Sequence, residues 1–407
     1  MKNILAITYW SFKEPLIQSG ALPYLRLISE VLPKGSNIFL FTLEKSNYKT
    51  TKEEEKKIFN ELAEHNITLI RKSYYPFGIM ALLSWPLYLI HLSAICFTNK
   101  IQFIHAWCTP AGTIGYLLSM LTGKPLIIDS YEPHAETMVE TSNWRKNSWA
   151  FRILFHFEKL QSKRAYAVVA LSSGMREYAK QKYNASFNRY YIRSTCVDFN
   201  LFTTDFLTTE KIKSGLGIKD TDIVCVYSGK IGGIYLEDEI FEFFESASQY
   251  WGDRFKAIML TDTSRSSISE FLYKHHLKEQ MVISLFAPHP EVKDYLAAAN
   301  FAICPVKPIP TKKFCSPIKT GEYWAMGLPV VIPDNIGDDS GIIEKNNIGA
   351  VMPALNKQEY KIAIEKIDRL IHSDDILPLK DIIISIARQY RDIENTKKTY
   401  KAIYTPE

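Results

Sequence analysis

The chain has 407 residues, with 49 Lys and Arg against 44 Asp and Glu, for a net charge of +5. That length predicts two or three domains with large cores, and the composition is ordinary for a soluble globular protein. Six scattered cysteines with no C-x-x-C argue against a zinc site or disulfide framework, and the absence of a dense basic run argues against nucleic acid as a partner.

Met1-Lys2-Asn3 leads directly into an apolar run too short for a signal-peptide core, which predicts a cytoplasmic location. The strand-like runs "NILAITY", "NIFLFTL", "ITLIRK", "QFIHA", "PLIID" and "AVVAL" follow in order. Helical patterns at Gly20–Leu32, Thr51–Glu64, Thr109–Leu121 and Ser148–Arg164 separate them. This alternation predicts a parallel sheet covered on both faces. The apolar stretch Pro76–Phe97 is long enough to span a bilayer, but Pro86, His91, Ser84 and Ser93 interrupt it. It reads as a helix packed on the sheet or lying at a membrane interface, with a spanning segment as a third reading. After "YYIRSTCVDFNLF" the pattern restarts with "DIVCVYS", "KAIML", "MVISL", "FAICP" and "PVVIP", with helices at Glu237–Tyr250 and Glu291–Ala299. The chain therefore reads as α/β, two doubly wound halves with a boundary near Phe202–Thr208, and a helical tail from Lys357. Up to Phe202 there are 24 Lys and Arg against 15 Asp and Glu, and afterwards 25 against 29. The basic first half suggests an anionic partner such as a membrane surface or a phosphorylated lipid.

In such sheets ligands bind beyond the C-terminal strand ends. After the first strand comes a segment with no G-x-G-x-x-G, where Gly20 opens a helix and lets a substrate approach the backbone. After "PLII" comes "DSYEPHAE", which gathers Asp129, Glu132, His134 and Glu136; a strand-end carboxylate beside a second acid and a histidine suits a base or an electrostatic stabiliser. "GKIGG", with Gly229 and Lys230, suits a phosphate. In "FCSPIKTGEYWAMGLPVVIPD", Ser316 reads as N-cap, Pro317 as the first helical residue and Gly327 as the C′ residue. Lys319 in the first turn faces the positive end of the helix dipole, at a cost of about 0.3–1 kcal/mol. A phosphate seated there resolves the conflict, with Glu322 beside it to accept from hydroxyls; a surface lysine and a solvated glutamate are the plain alternative. Asp338–Asp339 reads as a helix cap, not as a metal site.

Taken in order, these segments resemble the family-4 (group 1) glycosyltransferases of the GT-B fold over nearly the whole length. "SPIKTGEYWAMGLPVVIPD" is similar to the nucleotide-sugar helix of that family, and "HPEVKDYLAAANFAICP", "PLIIDSYEPHAETM", "FEKLQSKRAYAVVALSSGMREYA" and "IRSTCVDFNLF" resemble flanking elements. The resemblance implies two Rossmann-like domains facing a cleft. Residues 1–203 would bind the acceptor, residues 204–385 the nucleotide sugar, and a helix at about 386–407 would pack back on the first domain. It implies donor contacts from Gly229, Lys230, Ser316, Lys319, Thr320 and Glu322, and acceptor contacts from Ser19, Gly20 and His105. Asp129 would be catalytic, with Glu132 and His134 as further candidates. It also implies retaining transfer without a metal or cofactor, to a glycan or lipid-phosphate-linked acceptor in surface polysaccharide assembly; the stretch Pro76–Phe97 and the basic first half add a place peripheral to the inner face of the cell membrane. Two departures stand out: Phe314 replaces a family glutamate, and Tyr235 and Leu236 occupy the region of a family lysine. The first keeps open a non-catalytic GT-B binding subunit, and an epimerase of similar architecture is a further alternative.

Overall fold

The computed structural model describes residues 1–48, 50–76, 79–203, 205–373 and 376–405. The chain forms two compact units, Met1–Ser194 with Ile393–Glu407, and Thr195–Asp392. The segment 195–203, expected with the first domain, belongs to the second, as does 386–392. The expected seam itself falls on Thr204, which lies outside the described residues.

The first unit holds seven strands: β1 (Asn3–Ile7), β2 (Ile38–Glu44), β3 (Ile67–Ser73), β4 (Ile101–Trp107), β5 (Leu126–Tyr131), β6 (Ala167–Ala170) and β7 (Tyr190–Ile192). They form one sheet in the order β3-β2-β1-β4-β5-β6-β7, every pair parallel. The second unit holds β8 (Ile223–Ser228), β9 (Phe255–Leu260), β10 (Val282–Leu285), β11 (Phe301–Ile303), β12 (Val330–Pro333) and β13 (Gly349–Met352), in the order β10-β9-β8-β11-β12-β13 and again parallel. The strand order reverses between β1 and β4 in one unit and between β8 and β11 in the other, so the ligand crevice of each sheet is expected there.

Strands are Val- and Ile-rich because both faces are buried under helices. Helix starts follow local chemistry. Thr51 and Glu54 close a capping box on Lys52–Ala63, and the Ser148 hydroxyl accepts from the Phe151 amide to start Trp149–Arg164. Two expectations shift. Gly20 ends a short helix, Pro15–Gly20, and the chain bends at Ala21 before Leu22–Val31, so Gly20 does not open the helix. The apolar stretch forms a helix at Ile79–Thr98; its first part, Phe77 and Gly78, lies outside the described residues. Thr396–Tyr404 is part of the first unit and packs on Leu22–Val31, with Tyr24 and Tyr400 in edge contact.

Candidate functional site

In the second unit the glycine loop leaves β8 at the strand-order reversal. Gly229, Gly232 and Gly233 all have positive φ, a region closed to most side chains. The Tyr227 hydroxyl donates to the Lys230 carbonyl, and the Ser228 amide donates to the Tyr323 hydroxyl at 2.9 Å. Further on, the Leu236 amide donates to Pro305 O and the Lys307 amide to Ile234 O, which fixes the loop to the segment after β11.

The helix Ile318–Ala325 approaches the same place. It ends as the sequence indicates: Gly327 has φ +73°, its amide donates to Trp324 O, and the Leu328 amide donates to Tyr323 O, a Schellman closure. Its start differs. Pro317 is the N-cap residue, and the Ser316 hydroxyl instead accepts from the Thr195 amide at 2.9 Å and from the Arg391 guanidinium. Arg391 also donates to Thr195 O at 2.9 Å and pairs with buried Asp339. Asp339 is therefore an ion-pair partner, and Asp338, at the N-cap position, makes no side-chain capping bond. The Thr320 hydroxyl, expected at the donor, donates to Cys304 Sγ in the core at 3.4 Å.

Lys319 is the central observation. It is only 5% exposed, and its Nζ finds no hydrogen-bond acceptor among the described residues. It lies 3.6 Å from the centroid of the Tyr235 ring and 4.8 Å from that of Tyr227. A Cβ added to Gly229 would stand 2.7 Å from this Nζ, so the glycine makes room for the ammonium at the loop. Burial lowers the lysine pKa to about 8, while Cys304 and Glu322 pull the other way. One turn on, buried Glu322 pairs with His289, Oε1 to Nε2 at 2.9 Å. That bond raises the histidine pKa against the opposing effect of burial. Beside the pair is a hollow of about 300 Å³, lined by Gly229, Lys230, Thr261, Asp262, Phe286 and His289. Phe286 is 72% exposed and offers an aromatic face to a planar ligand. Tyr227 near the end of β8, and Phe286 and His289 after β10, had no signal of their own in the sequence, and Tyr235 stood out only as occupying the region of a family lysine.

In the first unit the expected catalytic carboxylate is sealed. Asp129 is fully buried; Oδ1 accepts from Arg193 Nη2 at 2.5 Å and Oδ2 from the Tyr400 hydroxyl at 2.6 Å. His105 Nε2 stands 3.3 Å from Oδ2, and His105 Nδ1 is 2.5 Å from the Tyr404 hydroxyl. Burial alone would raise the Asp129 pKa, but the Arg193 charge, with His105 and Tyr400, holds it well below the usual carboxylate range. Burial pushes the His105 pKa down, although Asp129 opposes the shift. A carboxylate so inaccessible and so acidic is a poor base, and a buried neutral histidine does not meet an acceptor. Asp129 and His105 are thus corrected from site residues to a structural cluster. Glu132 and His134 are half-buried where β5 gives way to the helix His134–Glu140. Ser19 and Gly20 end their short helix, where Gly20 O accepts from Trp107 Nε1 at 3.2 Å and the space at its missing Cβ is open.

No family model and no curated protein matches the chain. Solved structures do match. HepE from Anabaena, in complex with UDP, gives a TM-score of 0.74 at 14% identity, with 100% of both chains covered. Sucrose-phosphate synthase from Thermosynechococcus elongatus gives 0.71 at 14%, covering 99% of this chain and 98% of that one. A glycosyltransferase from Rickettsia africae gives 0.70 at 13%, covering 100% and 99%. At such identities the likeness speaks to fold. Two doubly wound parallel units, matched along the whole chain by these enzymes, give this protein the GT-B fold of the glycosyltransferases.

Proposed function

We propose that the chain is a glycosyltransferase that takes a sugar from a nucleotide-sugar donor bound by the second unit and passes it to a glycan or lipid-linked acceptor bound by the first. The observation that carries this reading is Lys319: a buried ammonium without an acceptor, at a helix N-terminus, over a glycine loop at the strand-order reversal. A buried cation in that state is costly unless an anion meets it. Phosphate oxygens meet it here, with the helix amides and Lys230 adding positive potential. Glu322 accepts from the ribose hydroxyls once His289 yields its place. In transfer the bond from anomeric carbon to phosphate oxygen breaks, an acceptor hydroxyl oxygen forms the new bond and gives its proton to the departing phosphate, and the fixed charges stabilise that phosphate. HepE has been solved with UDP and with UDP-glucose, which supports a nucleoside-diphosphate donor.

The proposal extends to retention of configuration, transfer without a metal ion or cofactor, a cytoplasmic location and a place in surface glycan assembly. Glu132, His134, Ser19 and Gly20 are proposed on the acceptor side. The test is calorimetric titration with UDP, UMP and UDP-glucose. UDP should bind more tightly than UMP, and Lys319→Ala should erase the difference. Failure of all three to bind at millimolar concentration overturns the reading. The sealing of Asp129 favours one second reading, a subunit that binds donor without turnover. Donor hydrolysis in the absence of acceptor separates the two.

A further inference from the structure

The helix Ile79–Thr98 is apolar on two opposite sides. One side faces its own unit, with Ala81, Ser84, Tyr88, Leu92 and Cys96 buried. The other carries Met80, Leu83, Leu87, Ile90 and Phe97 at spacings of three, four, three and seven, and every one is exposed; Leu87 and Ile90 are 66% and 67% exposed. A surface helix of a globular protein normally turns polar residues outward, and contiguous apolar surface of this kind marks an interaction site. The patch continues onto the neighbouring helix Cys108–Thr122, where Met120 and Leu121 are also exposed. The crossovers β3 to β4, β4 to β5 and β5 to β6 run in one direction across the sheet, so their helices share a face. The third of them, Trp149–Arg164, adds exposed Trp149 with Arg152 6.0 Å from its ring centroid.

Charge selects the occupant. From His65 to Ile128 the chain has no Asp or Glu, but it has Arg71, Lys72, Lys100 and Lys124. Lys72 acts on His91 of the helix, lowering its pKa along with burial, and Lys124 acts on Cys96, so both charges flank it. Arg145 and Lys146 precede the helix that carries Trp149, and no acid appears from Thr141 to Phe157. Arg71 is paired with Glu55 at 2.7 Å, which leaves Lys72, Lys100 and Lys124 as the charges beside the ridge, and an apolar ridge bordered by these cations suits a surface with an apolar interior and anionic headgroups. A second copy of the same face would bring like charges together.

We propose that this helical face of the first unit docks on the surface of an anionic lipid bilayer, with the outward ridge entering the headgroup region and the helix lying along the surface. The inference is independent of the donor site, because vesicle binding is read without nucleotide. The test is co-sedimentation with vesicles of phosphatidylglycerol and phosphatidylcholine, and of phosphatidylcholine alone, at 0.1 and 0.5 M salt. Binding should favour the anionic vesicles and fall several-fold at the higher salt. It should drop at least tenfold in the double variant L87E/I90E, whose folding is checked by circular dichroism and whose UDP binding should stay at the parent level. Absence of vesicle binding overturns the proposal, and self-association that the variant abolishes would then assign the face to a second copy. Binding that resists salt and alkaline extraction overturns it in favour of a spanning segment. Binding that the variant leaves intact overturns it in favour of another surface.

Discussion

At Lys319 two requirements meet. The ammonium sits against Tyr235 and Tyr227 in a dry place, and its pKa of about 8 records the cost. Because this value lies below the ordinary lysine value of 10.5, the unfolded chain keeps the proton to higher pH than the folded one. Stability from this group therefore rises as pH climbs through about 8 towards 10.5. Lys319→Met should raise the melting temperature by a few degrees at pH 7, remove that pH dependence and abolish the preference for UDP over UMP. In the parent, UDP affinity should fall above about pH 8, since the site must then take up a proton to meet the phosphate. A lower melting temperature with the UDP preference intact would refute this account. The conflict with the helix dipole was legible in the sequence because it depends on the first turn alone. The aromatic surroundings were not, because Tyr227 meets Lys319 from β8 and Tyr235 from a loop whose path depends on hydrogen bonds to the segment after β11.

Among the elements, the helix Thr396–Tyr404 does most to define the first unit. It brings Tyr400 and Tyr404 to Asp129 and His105, next to Arg193, which also stands 3.8 Å from the centroid of the Tyr24 ring. Asp129→Asn leaves the Arg193 charge buried without its counter-ion and should cost about 3–5 kcal/mol in urea denaturation. Tyr400→Phe should cost about 1–2 kcal/mol, and both variants should bind UDP as the parent does. The depressed Asp129 pKa contributes stability above the unfolded carboxylate value of about 3.9, and that stability is lost as pH falls towards the folded value. Asp129→Asn should therefore flatten the acid limb of the stability profile; unchanged stability would remove the cluster from this role. The positions of most strands and helices along the chain were readable because each strand is a short apolar run between helical periods. The short strands β7 and β13 escaped notice, the first because "YYI" runs on into connecting chain, the second because it opens on a glycine. The fate of Asp129 escaped as well, since its partners lie up to 271 residues away. A carboxylate at a strand end looks the same in sequence whether it meets solvent or a tyrosine from the far end of the chain.

For the whole molecule, the chain passes from the first unit to the second at Ser194–Thr195 and returns at Asp392–Ile393. Beside these points Val197 and Asp392 pair as an isolated parallel bridge, with the Val197 amide donating to Arg391 O at 2.7 Å. A chain lacking Ile393–Glu407 loses the tyrosine partners of Asp129 and His105 but keeps Arg193 and every residue of the second unit. In calorimetry it should lose one of two unfolding transitions while still binding UDP. Retention of both transitions would show that the last helix is dispensable to the first unit.

The return of Ile393–Glu407 to the first unit also sets an order of events at the ribosome. Residues up to Ser194 emerge with a buried ion cluster that cannot yet close, and the whole of Thr195–Asp392 must be translated before Tyr400 and Tyr404 arrive. At typical rates of about 5–20 residues per second, that is a wait of roughly 10–40 s. During it the later unit can complete its own sheet, while the earlier one lacks the Tyr400 and Tyr404 partners of Asp129 and His105. The half that is synthesised first is thus the half whose buried cluster receives its last two tyrosines at the end of translation.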